Sequence, residues 1–267
     1  MMDQFLAQIG GDVAGALISN IWILLFIFLF LVPMVQRYYL QMARKSVLAK
    51  LGKTRGTQVI TLIHRQETIS FLGIPLARYI DIDDSERVMR AIRAAEKDVP
   101  IDIILHTPGG LALAATQIAM ALKAHPAKKT VIVPHYAMSG GTLIAFAADK
   151  IIMDPHAALG PVDPQLGDMQ GAYPATSLLA VIGKKKIDEI DDKTLIFAEE
   201  ARKAMSQMRN ILKKESWREN AAARSWRASS RSFSMKKYTH YHPFMAEQAQ
   251  SLLGEWYRPM SRKRSMP

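Results

Sequence analysis

A serine followed by two glycines is the first feature of this sequence that could carry out covalent chemistry. Ser139 lies between an apolar run at 131–133 and a second one at 142–148, with Gly140 and Gly141 directly after it. The first run is typical of a buried parallel strand and the second of a buried helix. A hydroxyl at the start of a helix lies beside free backbone N–H groups that could stabilise an oxyanion. The pattern is compatible with a nucleophile and with a plain helix cap.

A second loop rich in glycine precedes the serine by one strand and one helix. It has the sequence His-Thr-Pro-Gly-Gly at 106–110, between an apolar strand pattern and a helix of small residues. Proline restricts such a turn, and Gly109 and Gly110 let the backbone approach a ligand with no Cβ in the way. On its own, the sequence Pro-Gly-Gly is also common in ordinary turns. Together with Gly140, one glycine amide from this loop could complete an oxyanion hole with two donors.

The elements around these loops alternate between strand and helix. Strands are predicted at 58–63, 101–105, 130–133 and 151–153, and helices at 84–96, 112–124, 139–148 and from about 193 to 208. The first of these helices has a candidate N-cap at Asp84 or Ser85. This alternation predicts an α/β fold with a parallel sheet. Because ligands bind at the carboxyl ends of parallel strands, both glycine loops are expected at the same edge.

The two loops resemble a known family of peptidases. Thr107-Pro-Gly-Gly110 and Met138-Ser-Gly-Gly141, together with the stretch His156–Gln165, look like the Clp-fold (crotonase-type) serine peptidases. The most similar group is the membrane-anchored serine dehydrogenase proteinases, relatives of signal peptide peptidase A and the NfeD-type membrane proteases. The likeness runs from about residue 56 to residue 204.

The resemblance implies a role for each residue of the two loops. Ser139 would be the nucleophile, and the amides of Gly110 and Gly140 would form the oxyanion hole. The region of Gly109 and Gly110 would pair with an extended peptide or protein substrate. The family also implies a homo-oligomer. No cofactor is expected.

The general base is less clearly marked than the nucleophile. The stretch at 159–163, where Clp-type peptidases place a histidine, has none, and His156 just before it reads as a turn residue. Membrane relatives use a serine–lysine dyad, in which the lysine opens a long helix after a mobile loop. Lys193 is the predicted counterpart, with the loop at 167–190. A cation in the first turn of a helix opposes the helix dipole, which favours the neutral amine that a base must be. Lys193 could equally be a solvated surface lysine, and other candidates are Lys184, Lys185, Lys186 and His156, with Asp163 as a group that could orient a base.

The N-terminal segment predicts membrane attachment. Residues 13–36 are almost continuously apolar, and about 20 such residues cross a bilayer as a helix. Residues 37–55 form a basic linker, so the positive-inside rule places the short tail, residues 1–12, outside the cell and the bulk of the protein in the cytoplasm. We therefore expect a single-pass protein of the cell membrane. Contact of this linker with anionic lipid explains part of the net charge of +11, and no nucleic-acid partner is expected.

The C-terminal residues add positive charge and little recognisable chemistry. Residues 56–214 are assigned to the peptidase domain and 215–267 to a basic, partly ordered extension, within which 246–254 reads as a short helix. His240 and His242 lack the carboxylate or thiolate partners of a zinc site, and the chain has no cysteine. No metal is therefore expected.

The sequence predicts a membrane-anchored serine endopeptidase that acts on a peptide or protein, and we expect this substrate in or near the membrane. Two other functions stay open. One is a catalytically silent Clp-fold membrane scaffold. The other is a crotonase-type acyl-CoA enzyme, which uses the same two amides but more usually has a carboxylate base and no serine at the position of Ser139.

Overall fold

The chain divides into two compact units, Met1–Arg55 and Gly56–Pro267. The computed structural model describes residues 2, 15, 20–21, 23, 25–64, 70–71, 74–75, 79–168, 171–215, 243–253 and 257–260. In the first unit, a π-helical turn at Ile27–Leu31 continues into helix α1, Val32–Arg55.

The predicted transmembrane helix is not supported by the described residues. None of the helices they form is both long enough and apolar enough to cross a membrane. Helix α1 contains only the end of the apolar run and then carries basic residues from Arg37 onward. Of the predicted span 13–36, residues 13, 14, 16–19, 22 and 24 lie outside the described residues. Large apolar side chains among the described ones, including Phe26, Phe28 and Phe30, are exposed.

The second unit contains all the strands that the structure describes. They are β1 Gln58–Ile63, β2 Ser70–Phe71, β3 Ile74–Pro75, β4 Ile101–His106, β5 Lys129–Val133, β6 Tyr136–Ala137, β7 Lys150–Met153, β8 Ala158–Leu159, β9 Gln165–Asp168, β10 Gly171–Pro174, β11 Phe244–Met245 and β12 Tyr257–Pro259. The helices of this unit are α2 Ile82–Ala94, α3 Ala112–Ala124, α4 Gly140–Phe146, α5 Ala175–Ile182, α6 Asp192–Glu215 and α7 Ala246–Leu253, with a short 3₁₀ turn at Ile187–Glu189.

A parallel sheet of five strands forms the centre of this unit. Its order is β1-β4-β5-β7-β12, and every neighbouring pair in it is parallel. Strand β4 is buried along most of its length, with Ile101, Ile103 and Leu105 fully inaccessible, as expected for a central strand of a parallel sheet covered by helices. The predicted α/β fold with a parallel sheet is confirmed, and β4 and β5 are neighbours.

Helix α2 begins two residues earlier than predicted. Its N-cap is Asp81, whose carboxylate accepts the Asp84 N–H (2.9 Å), while the Asp84 carboxylate accepts the Asp81 N–H (3.2 Å). These reciprocal bonds form a capping box, which satisfies two backbone donors at the helix start. Asp84, predicted as a candidate cap, is the third residue of the helix.

Part of the predicted C-terminal extension belongs to the fold. Strand β12 lies parallel to β7 at the edge of the central sheet, and β11 pairs antiparallel with β8 in a small second sheet of order β11-β8-β6. Phe244 and Tyr257 are buried because these short strands add apolar side chains to the core. Residues 216–242, including His240 and His242, lie outside the described residues.

The segment predicted as a mobile loop contains regular structure. Strands β9 and β10 form an antiparallel hairpin, and α5 follows directly. Helix α5 is apolar and packs against the long helix α6, which explains why this segment adopts a defined structure.

Candidate active site

The two glycine loops meet at the carboxyl ends of β4 and β5. The loop after β4 is joined to β6 by the pair Thr107 and Ala137, where the Thr107 N–H donates to the Tyr136 carbonyl (3.2 Å) and the Met138 N–H donates to the Thr107 carbonyl (3.0 Å). A Cβ built on Gly109 would lie 2.9 Å from the Met138 carbonyl oxygen and 3.0 Å from the Ser139 Cβ. The expected convergence of the loops is therefore observed.

Ser139 has a strained backbone. With φ 48° and ψ −114° it is the one residue other than glycine that has positive φ among those described. The Gly141 N–H donates to the Met138 carbonyl (2.8 Å), so Met138–Gly141 is a turn and Ser139 has the dihedral angles of the first central residue of type II′. Glycine is usual there, and a serine costs about 1–3 kcal/mol, which is the strain commonly found at functional sites.

The Ser139 hydroxyl does not cap helix α4. Ser139 occupies the N-cap position, but its side chain makes no capping hydrogen bond. A serine that served only as a cap would use its oxygen to accept an N–H of the first turn. The residue is half-buried, so the hydroxyl remains accessible at the edge of the sheet. Of the two roles compatible with the sequence, this geometry favours the nucleophile.

The amides of Gly110 and Gly140 are held in defined directions. The carbonyl of Gly109, in the same peptide unit as the Gly110 N–H, accepts the Ile80 N–H (2.8 Å). The carbonyl of Ser139, in the same unit as the Gly140 N–H, accepts the Leu143 N–H (3.1 Å). Because a trans peptide directs its N–H opposite to its carbonyl, fixing each carbonyl fixes each donor. Neither donor forms a hydrogen bond with another described residue.

Close packing around the glycines explains why larger residues would not fit. A Cβ on Gly110 would overlap the Ile80 backbone, and a Cβ on Gly140 would lie 2.7 Å from the Ala115 Cβ and 3.8 Å from the Gly110 nitrogen. The two amide groups are thus close to one another. Two fixed, adjacent donors beside a hydroxyl are the elements of an oxyanion hole.

The region of Gly109 and Gly110, which is predicted to pair with an extended substrate, is also bridged to Ile80 within the chain. The Ile80 N–H donates to the Gly109 carbonyl, and the Leu111 N–H donates to the Ile80 carbonyl (2.9 Å), which makes a parallel bridge between Ile80 and Gly110. This bridge was not predicted, because residues this far apart in sequence leave no local pattern. Gly109 itself has φ +104°, a conformation that other residues rarely adopt.

The candidate bases lie at the surface. Lys193 is exposed in the first turn of α6, with its Nζ 6.0 Å from the centroid of the Phe197 ring. The N-cap of that helix is Asp191, whose carboxylate accepts the Thr194 N–H (2.9 Å) and hydroxyl (2.7 Å), and these bonds lower the Asp191 pKa. The remaining candidates are also exposed: His156, Lys184, Lys185 and Lys186. Asp163 is buried and accepts a hydrogen bond from the Thr176 hydroxyl (2.8 Å).

Sequence reasoning missed a chain of polar side chains next to the glycine loop at 106–110. The His64 ring contacts the Asp84 carboxylate through Nε2 (3.0 Å) and the Thr107 hydroxyl through Nδ1 (2.9 Å). Thr107 directly precedes Pro-Gly-Gly, and this position was the one signal in the sequence that its hydroxyl could contact the glycine loop. Its partners could not be inferred because they come from the end of β1 and from α2.

Comparison with known proteins assigns this chain to a family. Residues 8–255 match the model of the ClpP-like SDH-type serine proteinases. The chain is 52% identical over 242 residues to the uncharacterized protein MJ0137 of Methanocaldococcus jannaschii, covering 90% of this chain and 82% of that protein. It is 50% identical over 209 residues to the uncharacterized protein MJ1495 of the same organism, covering 78% of this chain and 69% of that protein. The chain belongs to the family of ClpP-like SDH-type serine proteinases.

Proposed function

We propose that this protein is a serine endopeptidase in which Ser139 attacks the substrate carbonyl. The observation that carries the proposal is the strained backbone of Ser139, whose hydroxyl is not used as a helix cap. Strain of this kind persists where it positions a reacting group. A catalytically silent scaffold would have no use for it, and a crotonase-type acyl-CoA enzyme would need no hydroxyl there.

The reaction follows from the positions of the two amides. Attack of the Ser139 Oγ on the peptide carbonyl forms a tetrahedral intermediate whose oxyanion accepts the N–H groups of Gly110 and Gly140. Collapse of the intermediate breaks the C–N bond, the leaving amine takes a proton, and water then hydrolyses the acyl-enzyme. We propose Lys193 as the base that removes the serine proton and returns it to the amine.

A fluorophosphonate probe tests the nucleophile directly. The probe forms a covalent bond with an activated serine, and mass spectrometry then identifies the labelled residue. We expect label on Ser139 in the wild type and in Ser177→Ala, a control in which an exposed serine of α5 is removed. We expect no label in Ser139→Ala. An unlabelled wild type, or label on another residue, would overturn the proposal.

We also propose that residues 13–36 anchor the protein in the cell membrane with the peptidase unit in the cytoplasm, and that the protein is a homo-oligomer. The support for the anchor is the apolar run in the sequence and the basic residues after it. The support for the homo-oligomer is the resemblance to the Clp-fold peptidases. Anchoring would concentrate the enzyme near substrates in or at the bilayer. Alkaline carbonate extraction of membranes tests the anchor. An anchored protein stays in the membrane pellet, whereas release into the supernatant would contradict membrane anchoring.

A further inference from the structure

Three side chains form a chain of hydrogen bonds that ends on the glycine loop at 106–110. The Asp84 carboxylate contacts His64 Nε2 (3.0 Å), His64 Nδ1 contacts the Thr107 Oγ1 (2.9 Å), and Thr107 Oγ1 accepts the Gly109 N–H (3.1 Å). His64 is 5% exposed and Thr107 is fully inaccessible. A buried polar chain of this length is stabilising only when each member has its partner.

The chemistry of the carboxylate fixes the direction of the first bond in this chain. An ionised carboxylate only accepts hydrogen bonds, so His64 donates its Nε2–H to Asp84. Where Nδ1 carries no proton it accepts from the Thr107 hydroxyl, whose other acceptor within reach is the Gly109 carbonyl (3.4 Å). The Thr107 oxygen is left with a lone pair directed at the Gly109 N–H. Asp84 is itself held by the capping box at the start of α2, which anchors the chain of bonds to a helix.

The result is that Gly109 is held on both sides. Its N–H is bound by Thr107 Oγ1, and its carbonyl accepts the Ile80 N–H (2.8 Å). The peptide that begins with this carbonyl supplies the Gly110 N–H. Rotation of this peptide would turn the donor away from Ser139, and no side chain on Gly109 or Gly110 exists to resist the rotation.

We propose that Thr107 and His64, supported by Asp84, are positioning residues that hold the Gly110 N–H in the direction the oxyanion requires. The proposal rests on the peptidase function proposed above. The order carboxylate, imidazole, hydroxyl is also that of a catalytic triad. Thr107 is fully inaccessible, however, so a substrate carbonyl cannot reach its hydroxyl. The chain of bonds acts through Gly109 and not on the substrate.

Replacement of the Thr107 hydroxyl tests the proposal. Thr107→Val keeps the shape and removes the bond to Gly109, whereas Thr107→Ser keeps the hydroxyl. Removal of an oxyanion-hole donor itself costs about 100–1,000-fold in kcat, so loss of a bond that only holds the donor in place should cost about 10–100-fold. We expect that loss in kcat of peptide hydrolysis and in the fluorophosphonate labelling rate for Thr107→Val, with KM changed less than about threefold because the contact acts in the transition state. Thr107→Ser should retain most of the wild-type rate.

A second variant tests whether His64 acts through Thr107. His64→Gln should lower the labelling rate less than Thr107→Val, and the double variant should be no slower than Thr107→Val alone, because residues of one hydrogen-bonded chain are not additive. Additive losses would assign His64 an independent role. A wild-type labelling rate in Thr107→Val would overturn the proposal. Thermal unfolding of each variant identifies any that simply fails to fold.

Nuclear magnetic resonance separates failure of this proposal from failure of the peptidase function. In the full-length protein with ¹⁵N-labelled histidine and glycine, the His64 nitrogen that contacts Asp84, Nε2, should carry a proton. Thr107→Val should shift its Nδ1 resonance and the amide resonances of Gly109 and Gly110. Unchanged amide resonances would overturn the positioning role even if the wild type shows no hydrolysis. If the fluorophosphonate does not label Ser139 in the wild type but the amide resonances do shift in Thr107→Val, the peptidase function is overturned and the positioning of the Gly110 N–H is not.

Discussion

Substitution of Gly109 by alanine is the most direct perturbation of the site geometry. The new Cβ would lie 2.9 Å from the Met138 carbonyl oxygen and 3.0 Å from the Ser139 Cβ, whereas ordinary contact begins at 3.4 Å. The loop carrying Ser139 must therefore move by roughly half an ångström. Alanine at φ +104° adds strain of about 1–3 kcal/mol. Since a misplacement of about 1 Å can cost 100-fold in rate, we expect Gly109→Ala to slow fluorophosphonate labelling of Ser139 by about 10–100-fold.

Gly56→Ala is the matched control for this experiment. Gly56 also has positive φ, +63°, but a Cβ there would have nothing within 4 Å. Both variants should lower the melting temperature, because both place a side chain on a backbone with positive φ. Only Gly109→Ala should also slow labelling. A Gly109→Ala protein that labels at the rate of Gly56→Ala would refute the close approach of the two loops as the basis of the site.

Three further predictions concern the base, the core and a helix cap. Lys193→Ala should reduce the labelling rate of Ser139 by about 100-fold or more if Lys193 removes the serine proton. Lys203 is an exposed lysine of the same helix, and Lys203→Ala should label at the wild-type rate. Equal labelling rates of the two variants would exclude Lys193 as the base. Lys129→Met removes a buried ammonium that lies 3.1 Å from the Asp149 carboxylate and should cost about 3 kcal/mol in chemical denaturation, because a buried ion pair loses one partner. Asp81→Ala should lower the melting temperature at pH 7. The backbone N–H of Asp84 lowers the Asp81 pKa below 3.8. The difference in melting temperature between wild type and variant should therefore persist above pH 3.8 and shrink as the pH falls through the lowered pKa. A difference that is independent of pH would show that the charge of Asp81 is not involved.

Local patterns were enough to predict most of the elements that position the site. The strand at 58–63 and the helix at 112–124 have the predicted bounds, because their apolar spacing and flanking residues are local signals. The convergence of the two glycine loops also followed from sequence, since parallel strands end at one edge of their sheet.

Contacts between distant parts of the chain could not be predicted in this way. The bridge from Ile80 to Gly110 and the bonds of His64 to Thr107 and Asp84 depend on how separate elements pack. The positive φ of Ser139 is likewise imposed by the turn that joins β6 to α4 and not by a preference of serine. Strand β12 is too short and too poor in alternating apolar residues to be recognised before its partner β7 is known.

The small sheet of β6, β8 and β11 has a consequence for synthesis of the protein. Strand β6 leads directly into the turn that contains Ser139, β8 pairs with it, and β11 at Phe244–Met245 completes the other side of β8. The ribosome makes β11 long after it has made the serine. In a growing chain the small sheet beside the turn of Ser139 therefore stays incomplete until Phe244 and Met245 have been made and have paired with β8.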